Sequence, residues 1–251
     1  VCMLKNFNNL KIVQVGTRVK PFKSVMINEM ELVEKFGIDV VPINMAEALD
    51  KLNRIYNEKF EQLKAEAEEV KKKIDTSSIS DELLVKMMAF VHFYKELDEE
   101  NKSSIISTEC WTSMLLGFGA MPCLSMSLLA DMGLYVLCES DIYGAITAAL
   151  LSCAARGKTP PVFGEFTTRN PQNDNSELLW HCGPFPYSLK KEGVQAKLYN
   201  ARPSWQIEDG DYTIARFQAE RGKYYLLGGN VKTTEGPYTF GTYMWVEFEN
   251  L

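Results

Sequence analysis

No apolar run in the 251 residues approaches the ~18 needed to cross a bilayer as a helix, so no transmembrane helix is expected. Clustered positive charge is also missing. Lys and Arg number 27 against 33 Asp and Glu, a net charge of −6, which argues against nucleic acid or an anionic membrane as the main partner. The opening VCMLKNFNNLKIVQVG has no basic stretch leading into an apolar one and does not read as a secretory leader. CxxC pairs are absent: Cys2, Cys110, Cys123, Cys138, Cys153 and Cys182 stand apart, mostly inside apolar runs. They are expected to be reduced, mostly buried thiols of a cytoplasmic protein, not a disulfide framework or a four-cysteine zinc site. There is no G-x-x-x-x-G-K-[ST] and no G-x-S-x-G, and VQVGTRVKP carries a single glycine. A phosphate-binding loop, a nucleophile elbow and a dinucleotide fingerprint are therefore not expected.

What is present is the composition of a globular protein, 46% hydrophobic and 24% charged, with enough apolar mass for a sizeable core. Lys11–Gly16 reads as a strand, followed by a helical stretch containing Met26, Met30 and Val33 that stops at Gly37 and by a second strand over Ile38–Ile43. That order suggests a parallel α/β unit. Residues 46–101 read as charged helices with solvated faces. Alternation resumes with a strand at Ser104–Glu109, a helix around Met121–Met132, a strand at Leu134–Cys138 and a helix over Ile142–Ala155 that ends at Arg156-Gly157. Beyond Lys158 the pattern becomes short strands punctuated by Gly, Pro, Asn and Asp, predicting antiparallel β structure, a barrel or a sandwich. The expected architecture is α/β followed by β: a Rossmann-like domain with a helical insertion over 1–157, then a barrel-like domain over 158–251. The chain opens on Val1 rather than Met and closes on Leu251 inside an aromatic, strand-like run, which reads as a piece with sequence missing on both sides.

Only two histidines are available. His92 falls in an apolar helical pattern and is expected to be structural. His181 sits in WHCGPFP, at a strand end where Gly183-Pro184 forces a turn. Glu139, in LYVLCESD, follows a buried strand at its C-terminal end, where ligands bind in open α/β sheets. Asp141 is placed to cap the next helix. Glu165, in PPVFGEFTTRN, lies within an otherwise apolar strand and shares a face with Phe163 and Thr167. A carboxylate buried there would need a metal or an ion-pair partner such as Arg169. Two carboxylates and an imidazole form a donor set suited to Mn²⁺, Mg²⁺, Fe²⁺ or Zn²⁺. A Cys182–His181 nucleophile pair is disfavoured, because adjacent strand residues point to opposite faces.

At these residues the chain resembles the L-fucose/L-arabinose isomerase superfamily, in its fucose-isomerase-like branch. The similarity rests on LKIVQVG-TRVKPFKSVMINEMELVEKFGIDVV, GLYVLCESDIYGAITAALL, PVFGEFTT and WHCG, in that order. The resemblance implies a metal-dependent aldose–ketose isomerase, with Mn²⁺ or a similar cation held by Glu139, Glu165 and His181. It implies that Glu139 and Glu165 move a proton between C1 and C2 through an enediolate. Trp111 and Asp141 become substrate-contact candidates, with core packing the competing reading for Trp111. It also implies a homo-oligomer whose active site lies near a subunit interface. That family uses a later histidine as well, and none follows His181 here; a catalytically silent sugar-binding relative, or a hydrolase or lyase with the same ligands, stays open beside the isomerase.

Overall fold

The computed structural model describes residues 7–248; Cys2, Val1 and Leu251 lie outside the described residues. The first strand, β1 (Lys11–Val15), runs parallel to β2 (Asp39–Ile43) on one side and to β3 (Ile105–Thr108) on the other, and β4 (Val136–Leu137) follows β3. The order β2-β1-β3-β4 reverses direction between β1 and β3, so the loops leaving those two strands part and open a crevice at the carboxyl ends. These strands are Val/Ile-rich because helices cover both faces of a parallel sheet.

Between β1 and β2 lies α1 (Glu29–Phe36), capped by the Asn28 side chain and closed by Gly37 at φ 67°, a left-handed position suited to glycine. The helix starts at Glu29, so Met26, expected within it, lies before it. Met26, Met30 and Val33 are exposed and α1 buries only Leu32. Three helices fill the insertion: α2 (Met45–Glu58), α3 (Phe60–Lys71) and α4 (Asp81–Asn101). Their charges are surface pairs such as Arg54–Glu58 and Lys71–Asp81. Phe90, Phe93 and Tyr94 of α4 are fully buried. His92 has the structural role expected of it, its Nε2 standing 3.0 Å from both oxygens of Glu66 across the α3–α4 contact. A short α5 (Ser113–Phe118), which the sequence pattern did not predict, precedes α6 (Cys123–Asp131). Then α7 (Ile142–Ala154) starts from its Asp141 cap.

The second sheet comprises β5 (Glu165–Asn170), β6 (Asn173–His181), β7 (Lys197–Tyr199), β8 (Arg202–Gln206), β9 (Asp211–Glu220), β10 (Lys223–Thr234) and β11 (Thr242–Phe248). Its main path is β5-β6-β11-β10-β9, antiparallel throughout. A branch carries β7 and β8, with β8 parallel to β11. The expected barrel does not appear: among the described residues no closed barrel forms, and β5 and β9 are the ends of the path. The β9–β10 hairpin pairs along all of β9 through a tight Arg221-Gly222 turn.

The two sheets share one core. Val13, Ile106 and Phe90 from the first region belong to the same packed cluster as Leu179, Phe185 and Met244 from the second. α7 is apolar on several sides because it packs on β9 as well as on the parallel sheet. No helix among the described residues is long and apolar enough to cross a membrane.

Candidate active site

Three loops at the carboxyl ends of β1, β3 and β4 are laced together by their own polar groups. The Thr17 N–H donates to Glu109 Oε2 at 3.0 Å, and the Ser113 hydroxyl donates to Glu109 Oε1. The Ser140 N–H donates to the Thr108 carbonyl at 3.0 Å and its hydroxyl donates to the Thr17 carbonyl at 3.2 Å. Gly16, at φ 73°, is required at this knot: a Cβ there would lie 2.7 Å from Glu109 Oε2. Glu109 is thus a positioning carboxylate that motif reasoning passed over, because nothing in SIISTE marks it as one.

This lacing holds Glu139 and Ser140 at φ 68° and 52°, two consecutive non-glycine residues in the left-handed region. Such strain persists where the surroundings over-determine the backbone, and it concentrates at functional sites. The Glu139 side chain is aimed at His181 at the end of β6, Oε1 to Nε2 3.7 Å, with only 13% and 3% of the two side chains exposed. That separation is too long for a hydrogen bond, and Nε2 is buried without any partner. A buried polar nitrogen facing a carboxylate across a gap is the arrangement that a bound cation or ligand would complete. Cys138 joins them: its Sγ, a Glu139 oxygen and a His181 nitrogen all lie within 4.8 Å of one another. The sequence reading took Cys138 for an ordinary core thiol and missed it as a donor. Its place directly before Glu139 was the available signal.

The other ring nitrogen fixes what His181 can do. Nδ1 accepts the Cys182 N–H at 2.8 Å and lies 3.4 Å from Cys182 Sγ. With Nδ1 bare the neutral ring carries its proton on Nε2. A cation held through Nε2 would require that proton to move to Nδ1, which would give up the bond from the Cys182 N–H and make Nδ1 a donor toward the Cys182 sulfur. The strand-alternation argument against a His181–Cys182 contact fails because β6 ends at His181 and the chain bends at Cys182. A hydrogen bond from the Cys123 thiol outweighs burial and, with His181, holds the Cys182 thiol well below its usual range. Burial alone would lower the His181 pKa, but Cys182 and Glu139 outweigh it and leave it raised.

Burial pushes the Glu139 carboxyl up to about 7; His181 opposes this and the negative charge of Glu165 adds to it. In the metal-free protein the folded state therefore holds this proton more tightly than the unfolded chain between about 4.5 and 7, and stability falls as pH rises through that window. Glu139→Gln, which never ionises, is expected to be more stable than wild type at pH 8 and no more stable below pH 4.5. Urea midpoints of the two chelator-treated proteins at both pH values check this.

The remaining expected residues are placed differently. Glu165 is the first residue of β5, exposed, and it is opposite Trp180 in the β6 register. It is not a buried carboxylate needing compensation, and Arg169 faces Glu177 at 3.9 Å instead. Its charge reaches Glu139, yet it is not one of the three donors that lie within 4.8 Å of one another. Asp141 caps α7 through Gly144 N–H at 2.9 Å and is gripped through both oxygens by Arg216, with 3% of its side chain exposed. Trp111 is not core: it is 46% exposed and stacks on Phe22, centroids 5.9 Å apart. A large cleft of about 990 Å³, lined by Leu151, Phe166, Leu227 and Met244 among others, includes neither Glu139 nor His181.

Comparison with known proteins adds a second line. The chain is similar to sulfoquinovose isomerases. It is 28% identical over 254 residues to that of Priestia aryabhattai, covering 98% of this chain and 56% of the relative. Against that of Alkalicoccus urumqiensis it is 26% identical over 244 residues, 94% of this chain and 54% of the relative. The corresponding protein of a Clostridium species is 25% identical over 194 residues, with shares of 76% and 42%. The chain thus spans about half the length of the curated relatives it matches. No family model matches it.

Proposed function

We propose that this chain carries the metal and proton-transfer site of an aldose–ketose isomerase acting on sulfoquinovose or a closely related sugar. The observation that carries the reading is the buried, unpartnered His181 Nε2 facing Glu139; similarity to sulfoquinovose isomerases supports the reaction class. Glu139 and His181 hold a divalent cation, and Cys138 takes the third position that the sequence reading gave to Glu165. A cation there supplies Lewis acidity, lowering a sugar hydroxyl pKa and offsetting developing oxyanion charge. The thiol makes the donor set softer than carboxylate and imidazole alone, favouring Zn²⁺ or Co²⁺ over Mn²⁺.

The protein groups do the positioning and the proton transfer. Glu165, exposed at the start of β5 and electrostatically coupled to Glu139, takes the proton from C2 and returns it at C1. Such transfer contributes roughly 10²–10⁴-fold to a rate. The Cys182 N–H donates to His181 Nδ1, and its sulfur lies 3.4 Å from the same nitrogen, fixing the ring so that Nε2 faces inward. The loop knot around Glu109 holds Glu139 in its strained conformation.

The test is interconversion of sulfoquinovose with its ketose by the protein that contains this chain. Chelation is expected to abolish turnover, and one of Zn²⁺, Co²⁺ or Mn²⁺ to restore it. Turnover that survives complete metal removal would overturn the reading.

A further inference from the structure

Cys110 leaves the end of β3 and Cys138 the end of β4, neighbouring parallel strands in which Ser107 pairs with Leu137. Their sulfurs meet at 2.6 Å, in a region where the two residues are 4% and 1% exposed. A disulfide needs about 2.05 Å, so a shift of about half an ångström brings the two sulfurs to bonding distance. Neither cysteine is in a disulfide in the structure.

We infer that Cys110 and Cys138 form an oxidative modification site, in which a peroxide converts the two thiols to a disulfide and thereby withdraws Cys138 from the metal donors. The chemistry balances. One thiolate attacks the peroxide O–O bond, giving a sulfenic acid and hydroxide, which takes up a proton as water. The second thiol then displaces the sulfenic oxygen as water and forms the S–S bond. Two thiols lose two electrons and two protons in all, and one hydrogen peroxide becomes two waters. The near-complete burial of both sulfurs selects a small oxidant such as hydrogen peroxide over a bulky disulfide.

The consequence for the cation rests on the proposed metal site; bridge formation does not. Cys138 sits directly before Glu139, and its sulfur is one of the three donors within 4.8 Å. A disulfide sulfur is a far poorer ligand than a thiolate, so oxidation is expected to weaken the site while Glu139 and His181 remain.

The experiment treats the metal-free protein with hydrogen peroxide, maps disulfides by peptide mass spectrometry and titrates Co²⁺ before and after. The expected result is a Cys110–Cys138 cross-linked peptide, an intact mass lower by two hydrogens, at least a tenfold loss of Co²⁺ affinity, and recovery on thiol reduction. Cys110→Ser retains the Cys138 donor and is expected to bind Co²⁺ equally with and without peroxide; circular dichroism confirms that it folds. A bridge between Cys123 and Cys182, or no bridge at all, would overturn the assignment. A Cys110–Cys138 bridge with unchanged affinity would overturn its link to the metal. Absence of Co²⁺ binding by the reduced protein would instead sink the proposed metal site, and the peptide map would still decide the bridge.

Discussion

His181→Ala is expected to lose divalent-cation binding and, with it, isomerisation. The imidazole is one of three donors, it approaches from β6 while Glu139 and Cys138 approach from β4, and its Nε2 has no other partner. Removing an outer-shell partner from a metal site typically costs roughly 10–100-fold in affinity; removing this nitrogen should exceed that. Alanine also deletes a buried ring stacked beside Trp180 and tilted against Phe163, so His181→Gln, which keeps much of the volume, is the paired variant. Isothermal titration with Co²⁺ or Zn²⁺, alongside urea unfolding, separates lost ligation from lost folding. If His181→Ala folds and binds either cation as wild type does, the site lies elsewhere.

The largest stability effect is expected from Arg216→Ala. Arg216 reaches from β9 to grip both oxygens of Asp141, a residue that is almost wholly buried and also caps α7. Taking away one member of such a pair leaves a buried charge without compensation, which costs about 3–5 kcal/mol. The Arg216 side chain is one-third exposed, so the lower end, about 3 kcal/mol, applies. Asp141→Asn in the same background should recover much of the loss, because asparagine caps helices nearly as well as aspartate and carries no charge. Denaturant midpoints of the single and double variants measure this coupling. Equal destabilisation of the single and double variants would contradict it.

Much of this was legible in the sequence where local chemistry and global fold agree. Gly37 and Asp141 bound helices where the sequence put them, although the helix ending at Gly37 starts at Glu29 and leaves Met26 outside it. Glu139 and His181 stood out because a carboxylate after a buried strand and a histidine before Gly-Pro are both unusual. Contacts that depend on side-chain packing were not legible. Met26, Met30 and Val33 are exposed, and the helix α1 docks through buried Leu32 and through Phe36, which packs edge-on against Phe7, Phe217 and Tyr224. Glu165 was read as buried because its neighbours are apolar, but β5 is an edge strand, and apolar residues such as Phe166 are exposed on it. Cys138 reads as an inert thiol in an apolar run, and the Cys182–His181 contact is disfavoured by strand alternation. Their role depends on the left-handed turn at Glu139 and the bend at Cys182, which no periodicity encodes.

The shared core has a consequence for how the molecule comes apart. Packing continues across the change of architecture near residue 157: Phe90 and Phe185 belong to one cluster, and Thr147 on α7 accepts the Phe217 N–H of β9 at 2.8 Å. Opening one sheet strips apolar cover from the other, so heating should give a single calorimetric transition instead of two, with van't Hoff and calorimetric enthalpies in agreement. Native-state hydrogen exchange should then show the slowest amides of β1 and β11 sharing one opening free energy. Cleavage near Gly157 would leave two pieces that each expose a face meant for the other.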